Sequence, residues 1–201
     1  PGRWSPEFPM PTLPTRDAAL ELLHEHNSKP SLINHALSVE AVMRYMARKG
    51  GEDEEFWALV GLIHDLDYER SPEQHCARTK EILTAADWPP EVIRAVMSHG
   101  WEICTDVVPE SQLEKTLYAI DELTGLVYAC ALVRPSRSVA DMGVKSVKKK
   151  WKQKSFAAGA SREVILRGVD MLGVELGELI EDVIMGMREV EADIGLGQPM
   201  E

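Results

Sequence analysis

The sequence predicts an all-α protein, a compact helical bundle. Apolar residues recur at intervals of three and four along most of the chain. No segment alternates apolar and polar residues as a half-buried strand would, and short connections rich in Pro, Gly and Ser separate the periodic segments. The predicted helices span residues 16–26, 31–49, 53–65, 72–86, 90–98, 111–133, 144–153, 161–172 and 175–192.

No linker is long enough to divide this chain, so residues 10–194 are expected to form a single domain. Residues 1–9 contain three prolines without periodicity, and Met10 reads as a natural start, so this stretch is expected to be a remnant of cloning. Residues 195–201 are expected to fray.

The second predicted helix carries a histidine on its apolar face. The first helix, capped by Thr15 or Asp17, has no comparable feature. In the second, which begins near Ser31, His35 lies in one apolar stripe by helical spacing. The other members of that stripe are Leu32, Val39, Val42 and Met46.

The third predicted helix is apolar on nearly every side until it ends in His64 and Asp65. This pattern indicates a buried helix with a polar tip. Burying an imidazole or a carboxylate costs free energy unless the group is paired, hydrogen-bonded or bound to a metal.

Two further histidines are predicted to point inward from the fourth and fifth helices. A helix opened by Pro72 would align His75 with Thr79, and the start at Pro90 places His99 on an apolar side. A single histidine of this kind is usually a satisfied core or surface residue.

The sixth predicted helix places Asp121 among apolar side chains, where an unpaired carboxylate would be destabilising. Imidazole nitrogens and carboxylate oxygens together are the ligands of Zn, Fe, Mn, Co and Ni, and several helices can each supply them to one bundle core. We therefore predict a metal site. Its candidate ligands are His35, His64, Asp65, His75, His99 and Asp121.

The seventh predicted helix is rich in lysine, although the chain as a whole is acidic. Such a cluster either attracts an anionic substrate or forms a solvated helix face. Helical spacing places Lys145 and Lys148 on one face, and with Arg134 they are the predicted phosphate-binding residues. The last two helices are predicted to cover the core.

The composition favours a cytoplasmic protein that binds neither membranes nor nucleic acid. The net charge is −11, from 22 basic and 33 acidic residues, which disfavours broad contact with a phosphate backbone. No apolar run approaches the ~20 residues of a membrane-spanning helix. The three cysteines, Cys76, Cys104 and Cys130, form no Cys-x-x-Cys pair, so neither a disulfide framework nor a structural zinc site is expected. The oligomeric state stays open.

The order of His35, the doublet His64-Asp65 and Asp121, in a helical context, resembles the HD superfamily of metal-dependent phosphohydrolases. Four strings resemble a widespread bacterial branch of predicted HD hydrolases. They are Gly-Leu-Ile-His-Asp-Leu-Asp-Tyr-Glu at 61–69, Ala-Ile-Asp-Glu-Leu-Thr-Gly-Leu at 119–126, Val-Arg-Pro-Ser-Arg-Ser at 133–138 and Val-Lys-Ser-Val-Lys-Lys-Lys at 144–150. The resemblance covers most of the chain and implies a helical bundle of the HD-domain type.

The resemblance also implies how metal would be held. A first ion would be bound by the four residues His35, His64, Asp65 and Asp121. In two-metal relatives Asp65 would bridge to a second ion held by His75 and His99. Gly100 stands where some relatives carry a further histidine, which leaves both one and two ions open. The expected cofactor is one or two divalent ions from among Mn, Fe, Co, Ni, Mg and Zn.

The function that the resemblance implies is hydrolysis of a nucleotide or another small phosphoester by a metal-bound hydroxide. A metal lowers the pKa of bound water from about 16 toward neutrality and neutralises charge on a phosphoryl oxygen. No motif for a side-chain nucleophile is present. Asp65 is the predicted catalytic ligand. Asp67 could orient a ligand or carry a proton, or else end a helix or make a loop hydrogen bond.

Two other functions are compatible with the same residues. Some members of the superfamily with this order of ligands are di-iron oxygenases. A non-catalytic module that binds a metal or a nucleotide is the third possibility. A small phosphorylated molecule is the expected partner, since the lysine cluster favours phosphate.

Overall fold

The computed structural model describes residues 13–197, which are mostly helical, with turns, short connections and one isolated bridge between Trp101 and Thr105. The all-α prediction is confirmed. Within these residues no helix is both long and apolar enough to span a membrane. The helices are α1 (Arg16–His26), α2 (Pro30–Gly50), α3 (Glu54–Ile63), α4 (Ala77–Ala85), α5 (Pro90–Ser98), α6 (Gln112–Leu132), α7 (Val144–Trp151), α8 (Arg162–Leu172) and α9 (Leu176–Arg188), with a 3₁₀ turn at Pro72–Gln74.

Side-chain caps determine where several helices begin. Thr15, Asp53 and Ser161 each accept a backbone N–H in the first turn of α1, α3 and α8, respectively. Ser111 and Glu114 form a reciprocal capping box at the start of α6. These oxygens satisfy N–H groups that have no partner inside the helix, which stabilises each start.

The helix predicted over 72–86 is divided in the structure. Pro72 begins only the 3₁₀ turn, and α4 starts at Ala77. Cys76 separates the two because its φ of 66° is incompatible with a continuous right-handed helix. His75 therefore lies in a turn before α4, and the prediction that it shares a helix with Thr79 is wrong.

Two other predicted helices end early. The segment 53–65 leaves the helix after Ile63, so His64 and Asp65 occupy the following turn. The segment 175–192 ends at Arg188 and continues as turns.

Helix α2 lies at the centre of the bundle and packs against α3, α6 and α9, while α6 also packs against α8. Glycine allows two of these contacts. A Cβ on Gly186 of α9 would lie 2.7 Å from Val42 Cα, and one on Gly168 of α8 would lie 2.4 Å from Ala119 Cα. The backbones of these helices therefore approach closely around the core.

The residues that follow α9 still pack against the core. Ile194 and Leu196 are buried, and the Gly197 N–H donates to Arg137 O at 2.8 Å. The buried Leu196 side chain and the Gly197 hydrogen bond thus hold the start of the segment for which fraying is predicted. The assignments made for residues 1–9 and for 198–201 lie outside the described residues.

Candidate metal centre

The structure brings the six predicted ligands into one cluster. Each comes from a helix or from a turn at a helix end, and each imidazole or carboxylate faces the others. They form two sets in which one atom per residue lies within 4.8 Å of the rest. The four-residue group consists of His35, His64, Asp65 and Asp121, and the three-residue group consists of Asp65, His75 and His99.

In the four-residue group the two carboxylates stand opposite the two imidazoles. Asp121 Oδ1 lies 2.9 Å from His35 Nε2 and 3.3 Å from His64 Nε2. Asp65 Oδ2 lies 3.4 Å from His64 Nε2 and 3.8 Å from His35 Nε2. Helices α2 and α6 supply His35 and Asp121, while the turn after α3 supplies His64 and Asp65.

The three-residue group uses the other oxygen of the same carboxylate. Asp65 Oδ1 lies 3.5 Å from His75 Nε2 and 3.4 Å from His99 Nε2, and these two nitrogens are 3.2 Å apart. His99 directly follows the end of α5. Asp65 therefore belongs to both groups, with one oxygen facing each.

Three of the histidines are held through their Nδ1 atoms. Nδ1 of His64 donates to Gly61 O at 2.7 Å, and Nδ1 of His99 donates to Val96 O at 2.5 Å. A proton on Nδ1 leaves the Nε2 lone pair facing the cluster, which is the form in which imidazole binds metal.

The third of these histidines is held by a carboxylate. His75 Nδ1 donates to Asp67 Oδ1 at 2.8 Å, and Asp67 Oδ2 accepts the Thr79 N–H at 2.9 Å. Asp67 is buried and is not part of the cavity wall described below. The predicted catalytic role of Asp67 is therefore not supported by the structure, whereas the alternative of orienting a ligand is.

The charges in the cluster shift one another's pKa values. Burial lowers the pKa of His64, but the Asp65 and Asp121 carboxylates outweigh burial and raise it well above its usual value. Burial would raise the pKa of Asp65 and Asp121, yet His64 and its neighbours hold both well below the usual range. For His75, Asp67 and Asp65 overcome the effect of burial and raise the pKa to about 9.

Two buried polar atoms in the cluster have no hydrogen-bond partner among residues 13–197. They are His64 Nε2 and Asp65 Oδ1. Leaving such atoms unsatisfied is costly, and nitrogen and oxygen lone pairs that converge on one point are suited to a cation. The residues present therefore fit a divalent metal, and the cluster could hold one.

A cavity of about 400 Å³ opens beside both groups. Glu122 belongs to its wall, and burial together with the Asp121 charge raises the pKa of Glu122 to about 7. Sequence analysis did not identify Glu122, whose only signal was its position next to Asp121. The lining consists of the cluster residues His35, Asp65, His75, His99 and Asp121 together with Leu32, Tyr68, Gly100, Ile103, Glu122, Gly125, Ala157, Gly159 and Ala160.

One side of the cavity is a loop that precedes α8. Arg162 holds this loop, donating from Nη1 to the carbonyls of Ala157 and Ala160, both at 2.7 Å, and from Nη2 to Phe156 O at 2.6 Å. The small side chains of Ala157 and Ala160 keep the cavity open. No motif in the sequence indicated that this loop reaches the site.

The predicted phosphate-binding residues lie away from the cavity. Arg134 pairs with Asp141 at 3.0 Å, and the side chains of Lys145 and Lys148 are exposed. None of the three is in the cavity lining. Helix α7 buries Val147, so its lysine-rich side faces solvent. The structure thus favours the solvated-face alternative.

Fold and site together define a helical protein whose core carries a His–Asp cluster able to hold metal. Comparisons with protein-family models, with curated proteins and with solved structures each gave no match. Function is therefore inferred from the site and from the sequence resemblance.

Proposed function

We propose that this protein is a member of the HD superfamily and a metal-dependent phosphohydrolase that acts on a nucleotide or another small phosphoester. The observation that carries the proposal is the position of Asp65. Its two oxygens face two separate groups of histidines beside an open cavity. A carboxylate placed in this way can serve two ions at once.

The ligands would divide between two ions as the two groups divide. His35, His64 and Asp121 would hold the first, His75 and His99 the second, and Asp65 both. A bound divalent metal would supply an activated water and offset negative charge on the phosphoryl oxygens. The Nδ1 hydrogen bonds keep the imidazoles oriented before the substrate arrives.

The size and lining of the cavity suit a small substrate. The cavity volume of about 400 Å³ lies within the range of small-molecule sites. Leu32 and Ile103 offer apolar contact to the organic part of an ester, and Glu122 can take up or release a proton near neutral pH. The part of the lining that the described residues form includes neither lysine nor arginine, so the substrate's charge would be met at the cluster.

Activity measurements on the metal-loaded protein test the proposal. Purified protein is loaded with Mn, Fe, Co, Ni, Mg or Zn and tested on a panel of nucleotides and small phosphoesters. With at least one metal it should hydrolyse at least one of these compounds. Asp65→Ala should abolish that activity while circular dichroism shows the same helix content. The double variant Lys145→Ala/Lys148→Ala is the matched control and should keep its activity. Equal activity in Asp65→Ala would contradict the proposal.

The imidazole-rich ligand set favours one second candidate, a di-iron oxygenase. Four histidines and two carboxylates also suit iron. Elemental analysis of wild type and His75→Ala/His99→Ala separates the two functions. Bound iron with visible absorption and substrate-dependent oxygen consumption would support the oxygenase. Activation by Mg or Mn without oxygen consumption would exclude it.

A further inference from the structure

Two cysteines lie in contact next to the three-residue group. Cys76 Sγ and Cys104 Sγ are 2.7 Å apart, although 28 residues separate them in the chain. Cys76 is buried and Cys104 is exposed. The proposed hydrolysis uses neither thiol.

The backbone at Cys76 is strained in a way that fixes this contact. Cys76 has φ 66° and ψ −46°, and the Ala77 N–H donates to His75 O at 2.9 Å across it. This is a γ-turn with positive φ, a conformation that is strained for residues other than glycine. The turn places the His75 ring in the cluster and the Cys76 thiol against Cys104.

Backbone hydrogen bonds hold the loop that carries Cys104. Gly100 O accepts N–H groups from Ile103 at 2.9 Å, from Cys104 at 2.9 Å and from Thr105 at 3.0 Å. A Cβ on Gly100 would lie 2.4 Å from Cys104 Sγ and 2.6 Å from Cys76 Sγ. The absence of a side chain at this position gives the two sulfur atoms room to meet.

Metal binding by the thiols is the less favourable use of this pair. His75 could complete a third set of ligands with Cys76 and Cys104. However, His75 Nδ1 donates to Asp67, and His75 Nε2 lies 3.5 Å from Asp65 Oδ1. Nδ1 is thus bonded to Asp67 and Nε2 faces the Asp65 carboxylate, whereas the two sulfurs face each other.

We propose that Cys76 and Cys104 form a reversible dithiol–disulfide pair whose oxidation weakens metal binding by the three-residue group. The second part rests on the metal centre proposed above. A disulfide joins sulfurs at about 2.05 Å, so only a small movement is needed to close the bond. Because Cys76 directly follows His75 in the strained turn, that movement also displaces His75.

Hydrogen peroxide is the oxidant in this scheme. The exposed Cys104 sulfur attacks one peroxide oxygen, the O–O bond breaks, and one water leaves as Cys104 becomes a sulfenic acid. The Cys76 sulfur then attacks the Cys104 sulfur, the S–O bond breaks, and a second water leaves. Both sulfurs are oxidised, and one peroxide is reduced to two waters. An added dithiol restores both thiols by exchange.

Thiol counting and intact mass test the pair in protein freed of metal by a chelator. After peroxide, the wild type should lose two of its three free thiols and two hydrogen atoms, and dithiothreitol should restore them. Cys130→Ser is the matched control and should still form the bond. Cys104→Ser, a substitution at an exposed position, should not. Thiols that stay free, or that are lost only through oxygen addition or dimers, would overturn the pair.

A Mn²⁺ titration of the oxidised and reduced forms tests the link to the metal. Oxidation should weaken binding of the second ion about tenfold or more, because disturbing the groups that orient a metal-binding imidazole usually lowers affinity by this amount. Cys104→Ser should bind equally before and after peroxide. A disulfide that leaves Mn²⁺ affinity unchanged would overturn the link. If neither form binds Mn²⁺ or another divalent ion, the metal centre and the link both fail, while the thiol count still decides the pair.

Discussion

At the scale of single residues, each histidine of the three-residue group is anchored through one nitrogen so that the other faces Asp65. The anchor of His75 is the buried carboxylate of Asp67, which also accepts the Thr79 N–H. A carboxylate with two such partners fixes both the tautomer and the angle of the imidazole. Asp67 is therefore a positioning residue.

Replacing this carboxylate with an amide tests its role. Asp67→Asn presents an NH₂ group to one of the two N–H donors, so we expect His75 to lose its orientation. Affinity for the second metal ion should fall about 10- to 100-fold, while the first ion is retained. Calorimetric metal titration measures both. Asp141→Asn, an exposed carboxylate paired with Arg134, is the control, and equal affinities in the two variants would argue against positioning.

Protons and metal compete for His75. The pKa of His75 is raised to about 9, so in the metal-free protein the ring is protonated at neutral pH and must lose that proton to bind metal. Metal affinity should therefore increase from pH 6.5 to about 9 and then level off. The stability that the protonated His75 ring gives the metal-free protein changes with pH in the opposite direction. It is complete below pH 6.5 and is lost as the pH rises through about 9.

Titrations with Mn²⁺ across this pH range, paired with thermal unfolding in chelator, check both trends. His75→Ala should reduce the pH dependence of both curves, leaving the part that comes from His64. A metal affinity that is independent of pH in the wild type would contradict the expected competition.

The six residues of the cluster could be predicted from the sequence because buried charge is costly and most of them interrupt an apolar pattern. For Asp67 the sequence left several roles open, from orienting a ligand or carrying a proton to ending a helix, because its role depends on where Thr79 and His75 lie in space. Glu122 and the contact between Cys76 and Cys104 were missed for a similar reason. Both depend on loops and turns whose course no local pattern specifies.

At the scale of helices, close backbone contacts restrict which substitutions α8 tolerates. A Cβ on Gly168 would lie 2.4 Å from Ala119 Cα and 2.5 Å from Ala119 Cβ. Gly168→Ala should lower the free energy of unfolding by ~1–3 kcal/mol, because α8 must move away from α6. Gly125→Ala is the control, since nothing lies within 4 Å of its Cβ position. Urea unfolding compares them, and equal stability would show that the helices can adjust.

Helix starts were more predictable than helix ends. Caps such as Asp53 and Ser111 are visible in sequence because a side-chain oxygen precedes an apolar run. The break at Cys76 was not visible, because Pro72 is a usual helix start and helical spacing aligns His75 and Thr79 with Ile82 or Leu83. The lysines of α7 were also ambiguous, since the sequence does not show whether either lysine-bearing face meets a site or solvent.

At the scale of the whole molecule, metal binding should stabilise the fold, because the ligands come together only in the native state. At a free metal concentration about 100 times Kd, the gain is ~2.7 kcal/mol, or roughly 5–10 °C in Tm. Thermal unfolding with and without chelator measures this shift. Asp65→Ala, which removes the residue common to both groups, should show little of it. An unchanged Tm in the loaded wild type would mean that the cluster does not bind that ion.

The order of the ligands along the chain has a consequence for biosynthesis. His35 and Asp121 are 86 residues apart, and α2, which carries His35, also packs against α9 near the end of the described chain. A polypeptide leaving the ribosome therefore exposes several imidazoles well before it can assemble the complete site. A metal bound by this cluster would therefore be selected after translation, by the folded protein.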